Sequence, residues 1–441
     1  MPAKNPLSPI ARWPHRLQQR WDELDILATH DVEPRYRKGM RGFWLDAFFA
    51  SISGAFLLAY ISLYALALGA TNAQIGALSS TASLLATLAP IPGAQLTERY
   101  GNRRRLVLGV WLVVRSISVL LVFIPFFLRG QAAIYAVITI WALRGGLGNL
   151  AHPAWVSLAG DIIPAESRGR YFSRRAMAMA AASLIFVPLA GQLIQWGGTP
   201  AGYQWSFGVS ACFGFLALHF YHQIPEPAPK ATPSTQGRGN WLAMGKALIT
   251  SRTFLFFVLI EMIWNLGVQV GGPYFTVYQV KKLNTTPAMI GLIETAGAVM
   301  AVIGQWFWGR VIDRRGARWV LTVCALTIPV LPFIWFVMRQ AWHALFMRVP
   351  SGFLWAGFEL ADFNLLLELP GQEKRTQATA FYTTLVGIAS IVGPLAGSVI
   401  VDRLGYFWDF GVSGVMRLVA AILFVLLLRP FRRARTLEQR P

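Results

Sequence analysis

The chain has 441 residues, 55% of them hydrophobic and only 14% charged. A water-soluble fold of this length cannot hide so much apolar surface, so composition excludes an ordinary soluble domain and points to an integral membrane protein. The formal net charge of +20 would suit nucleic acid or another acidic partner, but its placement along the chain argues otherwise.

Residues 1–41 form a basic, polar N-terminal tail. Leu17, Trp21 and Leu24 recur there at helical spacing, which fits either a short helix on the membrane surface or a tail without fixed structure. The tail has no apolar core of signal-peptide type, so no cleaved leader is expected. Twelve apolar runs follow, each long enough at about 20 residues to span hydrocarbon. They lie near 43–68, 75–96, 106–128, 132–158, 174–196, 204–224, 254–279, 287–308, 319–338, 341–367, 377–400 and 406–428. Pro90, Pro92, Pro188, Pro329 and Pro332 fall inside these runs and predict kinks, which a membrane bundle tolerates. Residues 225–240 are rich in Pro, Gly, Ser and Thr and open a flexible linker over 225–253. It divides a bundle of six helices at 42–224 from a second at 254–429; a short tail, 430–441, ends the chain.

The two halves are copies. Glu98, Arg99, Gly101 and Arg103 recur as Asp313, Arg314, Gly316 and Arg318, each 215 residues later, and Ala94 stands where the second copy has Gly309. GYQWSFGVS at 202–210 returns as GYFWDFGVS at 405–413, identical at seven of nine positions. Pro188 and Gly191 match Pro394 and Gly397; Arg144 and Gly148 match Arg348 and Gly352. Repeats of this size predict two equivalent sextets. Both begin on the same side, so their symmetry axis is expected along the membrane normal.

Lys and Arg set the orientation. With the N-terminus inside, 31 of the 40 fall in inner segments, 5 in outer loops and 4 within spans. The basic balance therefore reports topology, with both termini cytoplasmic in a plasma (inner) membrane, and nucleic acid is not an expected partner.

Charges within spans are the sharper signal. Each costs at least ~2.5 kcal/mol in hydrocarbon, so each should face protein or water. Arg144 and Arg348 are repeat equivalents, as are Asp46 and Glu261; Glu294, Glu359 and Asp362 complete the span acids. Helical arithmetic puts Glu359 and Asp362 within about 40° of the Arg348 direction, with Trp355 between them. The alternatives are a substrate or proton path and buried structural ion pairs, or, for Asp46 and Glu261, contact with headgroups or inner-loop arginines. A carboxyl group in low dielectric holds its proton more readily than in water, which would let one of these acids take up and release a proton. Arg115 and Arg417 are read as structural or snorkelling, and His152 as a core residue. The paired loops read as inner gates, with Gly101 and Gly316 for the turns and charges able to latch the inner ends of the halves; the alternative is simple anchoring at headgroups. No zinc, nucleophile-triad or nucleotide signature occurs, so neither an enzyme, a cofactor nor a metal site is expected.

Twelve helices, a central inner loop and the paired loop motif resemble the major facilitator superfamily (MFS) of secondary transporters over roughly residues 40–430. Gly309, Asp313, Arg314, Gly316 and Arg318 fit the family's loop signature; Ala94 and Glu98 depart from it. Arg144 with Gly148 looks like its fourth-helix motif, and Gly393, Pro394 and Gly397 resemble its Gly-Pro motif. The resemblance implies an all-α membrane protein of twelve transmembrane helices in two six-helix bundles related by pseudo-two-fold symmetry. It places helices 1, 4, 7 and 10, and so Arg144 and Arg348, at the substrate path. The expected function is alternating-access transport of a small organic solute, coupled to protons, with efflux ahead of uptake, by a monomer in the lipid bilayer. A non-transporting sensor or assembly partner, and a lipid flippase of the same fold, are the competing readings.

Overall fold

The computed structural model describes residues 34–226, 252–369 and 375–428. The surface helix expected near 17–24, most of the expected linker and the C-terminal tail lie outside them. The described chain is helical throughout. The first six spans are α1 (Pro34–Leu57, continued by Ile61–Ala67), α2 (Asn72–Leu88, then Pro90–Tyr100), α3 (Arg103–Phe127), α4 (Gly130–Leu150, then His152–Ile162), α5 (Arg168–Gly197) and α6 (Ala201–His222). The second six are α7 (Arg252–Lys281), α8 (Pro287–Arg315), α9 (Ala317–Thr327, then Val330–Ile334), α10 (Ala341–Glu368), α11 (Arg375–Leu404) and α12 (Tyr406–Leu428).

Among the described residues nine of these helices are long and apolar enough to cross a membrane, and the pair forming α2, bent by 40°, makes a tenth. α6 and α10 complete the expected twelve at 22 and 28 residues. Both exceed the roughly 20 residues that a span needs; Gly, Ser, aromatic and charged residues lower their hydropathy, not their length. The first span starts at Pro34, ahead of the expected 43, because the basic stretch before Phe43 continues the helix. Pro90 and Pro329 sit at breaks, whereas Pro188 and Pro394 lie inside unbroken helices. Proline removes one i→i−4 bond, and in the latter two neighbouring helices hold the axis.

The repeated GYxWxFGVS stretch has a packing role. Ser210 Oγ donates to the Ser53 carbonyl at 2.7 Å, fastening α6 to α1. Its equivalent, Ser413 Oγ, donates to the Gly267 carbonyl at 2.6 Å, fastening α12 to α7. Side-chain hydroxyls commonly satisfy helix contacts in membranes this way.

Three apolar clusters show how the halves relate. At the end carrying the Arg-rich loops, here the basic end, Met40, Phe43, Ala154, Tyr171 and Tyr221 form a core within the first sextet. Phe257, Trp264, Trp308, Phe358 and Phe424 form a separate core within the second. At the opposite end one cluster draws on both sextets: Tyr60, Tyr64 and Ile75 join Tyr274, Ile290, Val401 and Phe410. The sextets are joined by α2 packing on α11 and α5 packing on α8.

Glycine makes that seam possible. A Cβ on Gly76 of α2 would lie 2.7 Å from both the Pro394 carbonyl and the Tyr274 hydroxyl; one on Gly291 of α8 would lie 2.6 Å from the Tyr60 hydroxyl. Each tyrosine is fixed within its own half, Tyr60 OH donating to the Val187 carbonyl at 2.6 Å and Tyr274 OH to that of Pro394 at 2.6 Å. Polar contacts finish the seam: Asn72 Nδ2 donates to Asp402 Oδ1 at 2.8 Å, and Asn72 Oδ1 accepts from Lys281 Nζ and Tyr406 OH, each at 3.2 Å.

Candidate functional site

A cavity of about 600 Å³ opens in the second sextet between α7, α8 and α10, with α9 and α12 closing it. α8 and α10 cross at their glycines: a Cβ on Gly352 would collide with the Gly297 carbonyl. A Cβ on Gly297 would lie 2.7 Å from Arg348 Nε, so its absence lets the arginine side chain lie across α8. Arg348 Nη2 meets Glu294 Oε2 at 2.6 Å, and both side chains are little more than a third exposed. Glu359 and Trp355 share the cavity lining with this pair, as the helical arithmetic expected. Phe275, Trp335 and Met347 supply apolar wall.

Asp362 faces elsewhere. Its Oδ2 accepts from Tyr382 OH of α11 at 2.9 Å, and its carboxyl group faces that of Glu261 on α7. Glu261 is fully buried and takes a 3.0 Å bond from Asn265 Nδ2. Among the described residues Glu261 Oε1 and Asp362 Oδ1 have no donor, and an ionised carboxylate can only accept.

The first sextet is arranged differently. Asp46 is 1% exposed, with Arg175 and Arg115 as its nearby cations. Arg115 Nη1 donates to Ser53 Oγ at 3.1 Å, and Arg175 lies over the Trp155 ring at 5.3 Å. Asp46 and Glu261 are thus equivalent in the repeat and unlike in their partners; both are buried, Asp46 beside Arg175 from the basic end of the bundle. Arg144 stands over the Trp141 ring at 5.0 Å, its Nε without a hydrogen-bond partner among the described residues, and it is not part of the cavity lining. The two equivalent arginines therefore occupy different surroundings.

The loop residues divide by exposure. Glu98, Arg99, Asp313 and Arg314 are exposed, around the left-handed turns at Gly101 (φ 67°) and Gly316 (φ 83°). Gly309 precedes the second turn in α8, half-buried. Arg103 pairs with Asp161 at the end of α4, 2.7 Å, and Arg318 pairs with Glu368 at the end of α10, 2.8 Å. In this conformation these loop arginines stitch together helices of their own sextet.

Arg417 reads from the sequence as structural or snorkelling. It is 3% exposed and lines the cavity, although the burial cost that singled out Arg348 applies to it equally. Gln279, also on the lining, carries no charge and left no signal in the sequence.

The Major Facilitator Superfamily model matches residues 43–282 and 266–441. A multi-drug resistance efflux pump PmrA homolog of Lactococcus lactis subsp. lactis (strain IL1403) is 24% identical, covering 82% of this chain and 88% of that protein. The quinolone resistance protein NorA of Staphylococcus aureus (strain MSSA476) is 18% identical over 88% of this chain and 96% of that one. Among solved structures, a bacterial homologue of the human lysosomal transporter Spinster, inward-facing and unoccupied, superposes with a TM-score of 0.71 at 14% identity, covering 91% and 98% of the two chains. The nucleoside transporter NupG superposes at 0.69 with 12% identity, covering 89% and 100%. With twelve spans in two copies and a family match along nearly the whole described chain, this integral, multi-pass membrane protein belongs to the Major Facilitator Superfamily of secondary transporters.

Proposed function

We propose that the chain expels a small organic solute from the cytoplasm in exchange for protons. It works as a single chain by alternating access, in the plasma (inner) membrane, with the basic end and both termini cytoplasmic. The observation that carries this reading is the charge-lined cavity inside one of two sextets that meet at the opposite end. Efflux is the activity in the name of the Lactococcus relative, and at 24% identity that name supports the direction without fixing the solute. For the proton we assign the facing carboxyl groups of Glu261 and Asp362, with Asn265, Tyr382 and Glu359 as the polar groups around them. A proton held between two acids is available to one side of the membrane or the other as the helices rearrange.

The test is reconstitution into liposomes with an imposed pH gradient and a panel of labelled aromatic solutes. Gradient-driven flux is expected in the wild type. Glu261→Gln should lose the response to the gradient yet keep downhill exchange. Flux indifferent to collapse of the gradient would contradict proton coupling, and no flux with any solute would contradict transport.

A further inference from the structure

Arg417 raises the question of what balances its charge. It projects from α12 beside α7, where the helices approach closely: a Cβ on Gly267 would lie 2.9 Å from Met416 Cβ, and one on Gly271 would lie 2.9 Å from Ser413 Oγ. The guanidinium thereby reaches the cavity wall, with its carbon 5.9 Å from the centre of the Trp355 ring. Among the described residues it has no ion-pair partner, and its Nε has no hydrogen-bond acceptor. Asp409, buried about two turns earlier on the same helix, is the acid whose charge acts on it, but the two make no hydrogen bond and both Asp409 oxygens lack donors.

A guanidinium stays charged in any protein environment, and a buried charge without a partner is costly. Arg348 is already neutralised by Glu294. Glu359 is the lining acid that remains, and it is exposed, where water weakens its field relative to that of a buried cation. Asp409 is not on the lining, so the buried charge that the wall itself presents is the Arg417 cation, next to the flat surfaces of Trp355, Phe275 and Trp335. A volume of about 600 Å³ suits a ligand of drug-like size. Taking this cavity as the transport site proposed above, we propose that its ligand is an aromatic carboxylate, with the carboxyl group on Arg417 and the ring against Trp355.

Equilibrium binding to the purified full chain in lipid nanodiscs tests this, with naphthoate, naphthamide and naphthylmethylammonium as matched probes. Naphthoate is expected to bind at least ~10-fold more tightly than the amide, because only the anion can form a charge-assisted pair. Arg417→Gln should abolish that preference, and Arg417→Lys should keep part of it. If Arg417→Gln does not fold, the wild-type ranking decides, together with Trp355→Leu, which should weaken naphthoate binding. Equal binding of anion and amide, tighter binding of the cation, no binding of any probe, or an anion preference that survives Arg417→Gln each overturns the assignment. The transport reading fails separately, if flux is absent from liposomes whatever the probes bind.

Discussion

At the scale of single residues, the Arg348–Glu294 contact is the feature of the cavity whose energetics can be measured most directly. The two groups are 2.6 Å apart and partly open to the cavity, so water lowers the cost of breaking them relative to a dry ion pair. Their coupling is expected at about 0.5–3 kcal/mol, the range for side chains in direct contact. In a thermal-melt double-mutant cycle, Arg348→Gln and Glu294→Gln should each lower the apparent midpoint, and the double variant should lower it by less than the sum. Strict additivity would mean that the pair contributes nothing. How far such a site was legible depended on the type of signal. Charge inside an apolar run is visible in sequence, which is why Arg348, Glu294 and Glu359 were singled out. The partner of each charge is set by which helices touch, and sequence periodicity is silent on that. Arg144 and Arg348 share a motif, yet one stacks on Trp141 and the other meets an acid, because the first sextet has Ser79 and Ser80 near where the second has Glu294.

At the scale of elements, the seam between α2 and α11 and between α5 and α8 rests on small residues facing tyrosines. Gly76 has the Pro394 carbonyl and the Tyr274 hydroxyl within 2.7 Å of where its Cβ would be, whereas Gly109 on α3 has nothing within 4 Å. Gly76→Val should therefore force α2 and α11 apart and abolish flux, while Gly109→Val should transport normally. Side-chain insertion into a packed contact costs about 1–3 kcal/mol, enough to shift a balance between conformations without unfolding the bundle. Normal flux in Gly76→Val would show that the closed seam is not part of the cycle. The matched pairs Pro188 with Pro394 and Gly191 with Gly397 were legible as repeats. The position of Pro188, Gly191 and Pro394 on the seam was not, since it depends on the angle at which two distant helices meet. Helix breaks were partly legible: Pro90 and Pro329 interrupt their spans, but Pro188 and Pro394 do not. The outcome follows the neighbours that hold the axis rather than the proline itself.

At the scale of the whole molecule, the arrangement is asymmetric along the bundle. One apolar cluster spans both sextets at the end away from the basic loops. At the basic end each sextet keeps its own core, and Arg103 and Arg318 pair within their own halves. The duplicated architecture was legible because periodic apolar runs, internal repeats and the distribution of Lys and Arg all carry it. Which end is closed depends on contacts between the copies, and those leave no periodic trace. Transport by alternating access requires the sealed end to open and the basic end to close in its turn. Asn72 and Asp402 lie across the sealed end, joined by a 2.8 Å hydrogen bond. The most direct measurement is flux through a chain carrying Asn72→Cys and Asp402→Cys, with Cys212→Ser and Cys324→Ala to remove other thiols, before and after a short bis-methanethiosulfonate crosslinker that joins the thiols through reducible disulfides. Crosslinking is expected to stop flux while ligand binding to the cavity persists, and reductant should restore transport; undiminished flux through the crosslinked protein would contradict movement of one sextet against the other.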